Sequence, residues 1–120
     1  MSGVPVLRPS GEVDIAAVAR LRPTWLALAD TALPRVVVVD LSDVTFMDVA
    51  GVGLLVALRN RQQQHGGRVH LRHVPARVAK LLELTGLAAL FPVERTPRPR
   101  TPSQVIDLRV LDGDHQLRDV

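Results

Sequence analysis

The strongest strand signal in the 120-residue chain is Arg35-Val36-Val37-Val38-Val39-Asp40-Leu41. Four consecutive β-branched residues place apolar side chains on both faces of a pleated strand. Because other parts of the chain must cover both of those faces, we expect this strand to lie in the centre of a sheet.

Helix and strand patterns alternate on both sides of this segment. Further strands are expected over Val4–Leu7, Arg68–Val74 and Leu90–Val93, and helices over Asp14–Ala29, Val52–His65 and Pro75–Gly86. Strands that alternate with helices of these lengths imply parallel pairing through right-handed crossovers. The fold class is therefore α/β, or a mixed α+β sheet, with about four strands and about four helices packed on the sheet.

The first helix carries one apolar stripe and one irregularity. Apolar residues recur at three- and four-residue steps and predict a buried face, formed by Ile15, Val18, Leu21, Trp25 and Leu28. Pro23 lies within this helix, where its ring removes a hydrogen bond and clashes with the preceding turn. We expect a kink at Pro23, or a break followed by a second helix.

Three regions are expected along the chain: a domain over residues 1–93, a Pro/Arg-rich linker over 94–102 and a C-terminal segment over 103–120. Residues 105–112 favour a short docking helix, because Thr101-Pro102-Ser103-Gln104 resembles a capping box with Pro at the first helical position. Apolar and charged residues also alternate from Ile106 to Val110, which leaves an edge strand as the alternative. The end of the chain is expected to fray.

Composition narrows the functional classes. The chain has no Cys, which excludes disulfides, Cys-ligated zinc and a thiol nucleophile. No apolar run approaches the roughly 20 residues that span a bilayer, and the N-terminus lacks the regions of a signal peptide, so we expect a cytoplasmic protein. The 14 Arg are spread along the chain and only 2% of the residues are aromatic, so nucleic-acid binding is not expected.

No set of residues predicts catalysis or a cofactor. His70 and His73 lie three apart on an expected strand, so their side chains point to opposite faces and cannot share a metal ion. Gly51-Val52-Gly53 follows a strand-like segment, but position 56 is Val where a dinucleotide fingerprint has its third Gly. Close packing of a helix on a strand is the simpler reason for these glycines. We therefore expect no enzyme activity, no metal site and no cofactor.

A longer motif begins where the central strand ends. It reads Asp40-Leu41-Ser42-Asp43-Val44-Thr45-Phe46-Met47-Asp48-Val49-Ala50-Gly51-Val52-Gly53-Leu54-Leu55. This segment resembles the hallmark of the STAS domain family, which includes anti-sigma-factor antagonists and sulfate-transporter tails. Three more motifs are similar to the family in order and spacing: Gly11-Glu12-Val13-Asp14, Gly66-Gly67 with the strand after it, and Leu81-Leu82-Glu83-Leu84-Thr85-Gly86-Leu87.

The resemblance implies a STAS-like fold and a non-catalytic module that binds a protein. The partner that it implies is a kinase-like anti-sigma factor, which an antagonist sequesters so that the sigma factor is freed. The contact residues that it implies are Asp48, Val49, Ala50, Gly51 and Val52, with Glu12 and Asp14 nearby. Asp48 would cap and orient the turn, whereas Val49 and Val52 would offer apolar contacts. The protein is expected to be a monomer or a weak homodimer.

The chain departs from the family pattern in two places. In phosphorylatable members a Ser follows the Asp of the turn and is the acceptor for a partner kinase, whereas this chain has Val49 and then Ala50. Phosphorylation at that residue is excluded, and Ser42 and Thr45 remain as candidate acceptors. The family's usual first edge strand also has no counterpart here, so that edge is either bare or covered by Val105–Leu111.

Two other functions agree with the same turn. STAS subunits of lipid-transport ATPases carry Asp-Thr-Ala-Gly there, and Asp48-Val49-Ala50-Gly51 is about as similar to that pattern. The remaining alternative is a STAS domain that binds a small ligand or a nucleotide.

Overall fold

The computed structural model describes residues 4–30, 36–92 and 105–107. Its elements are β1 (Val4–Leu7), β2 (Gly11–Val13), α1 (Ile15–Asp30), β3 (Val36–Asp40), β4 (Val44–Met47), α2 (Val49–Gln64), β5 (Arg68–Arg72), α3 (Ala76–Leu84), a 3-10 helix (Ala88–Leu90) and β6 (Val105–Asp107). The predicted α/β class is confirmed. The described ranges hold more strands and fewer helices than the sequence predicts.

Four of the strands form a sheet in the order β5-β3-β1-β6, and every described pair is parallel. Strand β3 has a neighbour on each side, and its residues 37–39 are no more than 3% exposed. The central position predicted for the valine run is therefore confirmed. Because β1, β3 and β5 follow one another in one direction across the sheet, right-handed crossovers place α1 and α2 on the same face.

The core lies between this sheet and the two long helices. Its largest fully buried side chains include Trp25 of α1, Leu54 and Leu58 of α2, and Leu71 of β5. Burial of each such side chain stabilises the fold by roughly 1.5–3 kcal/mol. At the far ends of the helices, Arg61 of α2 donates a hydrogen bond to Asp30 Oδ2 of α1 at 2.6 Å.

Helix α1 differs from its prediction in two respects. It is continuous from Ile15 to Asp30, so the predicted break at Pro23 is wrong. Pro23 is exposed, so water can solvate the carbonyl that loses its helical partner. The buried residues are Ala17, Leu21, Trp25 and Ala29, whereas Ile15, predicted to be buried, is exposed because the first turn begins beyond the core.

Strands β2 and β4 form a second, two-stranded parallel sheet that the sequence patterns do not predict. Strands of three and four residues are too short for a period of two to stand out. Val13 pairs with Met47, so both strands end at the same level. Each of them then continues directly into a helix.

Two predictions near the C-terminal end need correction. The strand predicted from Leu90 is instead the end of the 3-10 helix, although Pro92 O accepts a hydrogen bond from Leu71 N at 2.9 Å. Residues 105–107 form strand β6 rather than the favoured docking helix. Strand β6 pairs with β1 and covers that edge of the sheet, as the alternative prediction has it. The remainder of the expected linker and C-terminal segment lies outside the described residues.

Candidate functional site

The turn between β4 and α2 contains the predicted contact residues. Asp48 has an extended backbone, and its Oδ1 accepts a hydrogen bond from Ala50 N at 2.9 Å. Its carbonyl accepts hydrogen bonds from the amides of Gly51 and Val52 at 3.0 and 3.2 Å. Asp48 therefore caps α2, and its negative charge lies at the positive end of the helix dipole.

Gly51 lies where α2 meets both strands of the small sheet. A Cβ at this position would be 2.5 Å from Met47 Cγ, 2.9 Å from Val13 O and 3.0 Å from Val13 Cγ1. At Gly53 a Cβ would have no atom within 4 Å. The close helix–strand approach proposed for the two glycines is therefore found at Gly51 alone. Gly51 is itself buried, so its role is to let α2 approach the strands.

The two valines of the turn have different environments. The side chain of Val49 is 67% exposed, whereas that of Val52 is 3% exposed and belongs to the core. Burial removes Val52 from any surface that a partner can touch. Of the two residues predicted to make apolar contacts, only Val49 is accessible to a partner, and the half-buried Ala50 lies next to it in the turn.

Glu12 and Asp14 lie next to this turn because β2 pairs with β4. Glu12 is exposed and in register with Phe46. The Oδ1 atom of Asp14 accepts a hydrogen bond from Ala17 N at 3.1 Å and so caps α1. The structure thus brings both acids to the end of the molecule that carries Asp48.

The two candidate phosphoacceptors are exposed and precede the turn. The amide of Ser42 donates to Asp40 Oδ1 at 2.9 Å. The carbonyl of Thr45, on β4, accepts from Arg77 Nη1 of α3 at 3.4 Å. Neither hydroxyl lies in the first turn of α2, where Val49 stands.

A buried charge cluster at the carboxyl ends of β1, β3 and β5 was not predicted. Asp40 is 1% exposed, and its Oδ2 accepts hydrogen bonds from Arg8 Nε and Arg72 Nη2, each at 3.3 Å. Burial alone would raise the pKa of Asp40, but hydrogen bonds from Ser42 and His73 outweigh it and lower the pKa to about 2. The register that pairs Asp40 with Arg72 would have indicated this cluster once parallel pairing was assumed.

His73 closes the cluster from the solvent side. Its Nδ1 lies 3.3 Å from both Asp40 oxygens, and its backbone has φ of 54°, a left-handed conformation that is uncommon for residues other than glycine. His73 is exposed while it bonds Asp40. The cluster ties three strand ends together and thereby fixes the start of the segment that leads to the turn.

The described residues show neither a metal-binding group of side chains nor a membrane-spanning helix. No three His, Asp or Glu side chains in residues 4–30 and 36–92 are grouped so that they could hold a metal ion. In the same part of the chain, none of the helices has the length and apolarity needed to cross a bilayer.

Comparisons with known proteins agree with this fold. The anti-sigma-B factor antagonist of Staphylococcus aureus (strain NCTC 8325 / PS 47) is 29% identical over 87 residues, which cover 72% of this chain and 80% of that protein. The anti-sigma-B factor antagonist of Bacillus subtilis (strain 168) is 27% identical over 84 residues, 70% of this chain and 75% of that protein.

A solved structure gives the same picture. The crystal structure of an anti-sigma factor antagonist from Mycobacterium paratuberculosis is 26% identical, has a TM-score of 0.66 and covers 77% of this chain and 79% of that chain. The family model of the STAS domain matches residues 1–98. This match spans most of the sequence, and the chain belongs to the STAS domain family.

Proposed function

We propose that this protein is an anti-sigma-factor antagonist that binds a kinase-like anti-sigma factor at the β4–α2 turn and performs no catalysis. The observation that carries the proposal is the exposed Val49 side chain at the Asp48-capped start of α2. The relatives named as anti-sigma-factor antagonists support the role. Sequestration of an anti-sigma factor places the protein in the cytoplasm.

The chemistry of the turn supports binding rather than catalysis. Its surface offers a branched apolar side chain and a carboxylate whose Oδ1 is engaged in capping the helix. A rigid helix start with one exposed apolar residue suits a partner that closes over it and excludes water. Gly51 lets α2 pack closely on β2 and β4, so the position of the turn is fixed before the partner binds.

The absence of a hydroxyl at Val49 gives the proposed antagonist a different regulation. A phosphate at the first turn of α2 would add a charge of about −1.5 to −2 next to Asp48 and repel a partner that closes over the turn. With Val49 at this position, that repulsion cannot be generated. Control then rests on the amount of protein, on the partner, or on Ser42 or Thr45.

Binding of purified kinase-like anti-sigma factors from the source genome tests the proposal. We expect one of them to bind the full-length chain and to lose the interaction with Asp48→Arg, which places a cation at the turn. Asp48→Asn is the matched variant, because it keeps a side-chain oxygen for the cap and removes only the charge. Wild-type protein that binds none of them, or Asp48→Arg that binds as well as wild type, would contradict the proposal. Co-purification with a transport ATPase would favour the alternative STAS role.

A further inference from the structure

Two strand–helix junctions in this chain carry nearly the same sequence. The first reads Val13-Asp14-Ile15-Ala16-Ala17-Val18 and the second Met47-Asp48-Val49-Ala50-Gly51-Val52. In both, an apolar residue ends a strand, an Asp caps the helix, a β-branched residue begins it and an Ala follows. The turn described above therefore has a second copy within the same molecule.

The small sheet places the two junctions side by side. Val13 pairs with Met47, and Asp48 N donates to Val13 O at 3.5 Å. A Cβ on Gly51 would lie 2.9 Å from the same Val13 oxygen, so α2 begins directly against the end of β2. Because β2 and β4 run parallel, the first turns of α1 and α2 emerge at the same end of the molecule.

Both helices begin with a large apolar side chain that faces solvent. Ile15 is 74% exposed, more than Val49, and Phe46 on β4 is 44% exposed. The apolar stripe of α1 does not use Ile15, since its buried face starts at Ala17. Folding of the described chain thus leaves Ile15 uncovered, as it leaves Val49. The pairing of β2 with β4 brings the two helix starts to neighbouring positions, and exposed apolar side chains grouped among polar residues are typical of interaction surfaces.

The charge around the junctions indicates what can cover them. Residues 9–19 and 41–58 contain four acids and no Lys or Arg, in a chain whose formal net charge is +3. Glu12, Asp14 and Asp48 lie at the junctions, whereas Asp43 precedes β4 at the other end of the small sheet. One cation from outside these ranges, Arg77 of α3, reaches β4 through its hydrogen bond to the carbonyl of Thr45. A symmetric dimer through this surface would set the acids of one copy against those of the other, which is unfavourable. A partner surface with Lys and Arg around an apolar hollow is complementary to it.

We propose that Ile15 and Val49 form one two-point docking surface, and that its occupant is a basic-rimmed apolar hollow on the anti-sigma factor. This inference rests on the proposed function and adds the α1 junction to the contact. One junction alone presents one apolar side chain. Two junctions fixed by the same small sheet give the partner two anchors on one rigid scaffold, so that binding requires little ordering of the backbone.

The test measures the Kd of full-length chain for the purified anti-sigma factor that binds wild type. We expect Ile15→Ala and Val49→Ala each to weaken binding about tenfold, and the double variant about a hundredfold. Leu84→Ala on α3 is the matched control, since Leu84 is 73% exposed away from both junctions, and its Kd should stay within about twofold of wild type. Alanine favours helix, so the variants remain folded. Binding should also weaken as NaCl rises.

The outcomes distinguish failure of the two-point surface from failure of the proposed function. If Val49→Ala weakens binding and Ile15→Ala does not, the two-point surface is wrong and the proposed function stands. If wild type binds no anti-sigma factor, both are wrong. If Kd does not respond to salt, the basic rim is wrong. If sedimentation shows wild type to be a dimer that Ile15→Ala dissociates, the occupant is a second copy of the chain and the proposal is overturned.

Discussion

At the scale of single residues, Gly51 and Gly53 differ although they lie two positions apart in the same helix. Only at Gly51 would a side chain meet the strands, with the backbone oxygen of Val13 among the atoms in the way. A backbone atom cannot move aside as the end of a flexible side chain can. The glycine that the fold requires is therefore the one that packs against the backbone at the end of β2.

Alanine at these two glycines should change stability in opposite directions. Gly51→Ala forces α2 away from β2 and β4, and we expect it to lower the free energy of unfolding by about 1–3 kcal/mol. Gly53→Ala meets open space in a helix and should raise the free energy of unfolding by about 0.5–1 kcal/mol. Urea unfolding of the two variants beside wild type provides the measurement. Equal effects of the same sign would contradict the proposed packing.

Asp40 should make stability depend on pH in a narrow acidic range. Its pKa is about 2 in the folded chain, below the ordinary value of 3.8, so folding favours the ionised carboxylate. This stabilisation is complete above about pH 4 and is lost as the pH falls from about 4 towards 2. Asp40→Asn should remove the loss of stability between pH 4 and pH 2.

The same variant should also be less stable at neutral pH. We expect Asp40→Asn to destabilise the fold by about 3–5 kcal/mol, because Arg72 is then left buried without its counter-charge.

Urea unfolding at several pH values between 2 and 7 checks both effects on the same variant. An Asp40→Asn chain that loses stability between pH 4 and 2 as steeply as wild type would show that other carboxylates carry the effect. A variant as stable as wild type at pH 7 would show that the cluster does not contribute to folding.

At the scale of elements, the sequence predicts best where a local signal specifies the structure. The start of α1 at Asp14, the end of α3 near Gly86 and the valine run of β3 are of this kind, and all three are found in the structure. Strands β2 and β4 are too short for a period to appear. The exposure of Ile15 follows from where α1 begins relative to the core, which the apolar periodicity of the helix does not encode.

In the candidate site, too, local features could be predicted from the sequence and long-range contacts could not. The cap of α2 and the turn residues could be predicted from the motif that begins at Asp40, because capping is a local property. Val52 was misplaced because whether the first turn of a helix faces the core depends on the strands behind it. The Asp40 cluster joins residues 32 positions apart, so only the pairing of β3 with β5 reveals it.

The N-terminus of α2 makes a prediction about modification. With ATP and the anti-sigma factor that binds it, wild type should gain no phosphate in the first turn of α2, because Val49 has no hydroxyl. Val49→Ser should gain about 80 Da at that residue and then lose affinity for the partner through the added negative charge. Intact mass and peptide mapping provide the measurement, with Val49→Ala as control. Phosphate on Thr45 of wild type would show that control acts at Thr45, before the turn, rather than through the amount of protein or the partner.

At the scale of the whole molecule, each sheet gathers polar groups at the carboxyl ends of its parallel strands. Asp40 ends β3 in the four-stranded sheet, and Asp14 and Asp48 directly follow β2 and β4 in the two-stranded sheet. Parallel pairing also leaves β1 in need of a neighbour, since no strand precedes it in the described chain. The neighbour comes from Val105–Asp107, far along the sequence.

Removal of β6 should therefore destabilise the whole domain rather than only its C-terminal part. A chain that ends at Pro102 leaves the edge of β1 without its partner, and we expect its Tm to fall by several degrees, about 4–8 °C for each 1 kcal/mol lost. A chain that ends at Val110 keeps β6 and is the matched control, with a Tm close to that of full-length protein.

The chain that ends at Pro102 should also associate at high concentration, because the unpaired amides and carbonyls of β1 can pair with a strand from another molecule. Calorimetry and light scattering on the two truncated chains measure both effects. Equal melting temperatures would show that β6 adds nothing to the stability of the sheet.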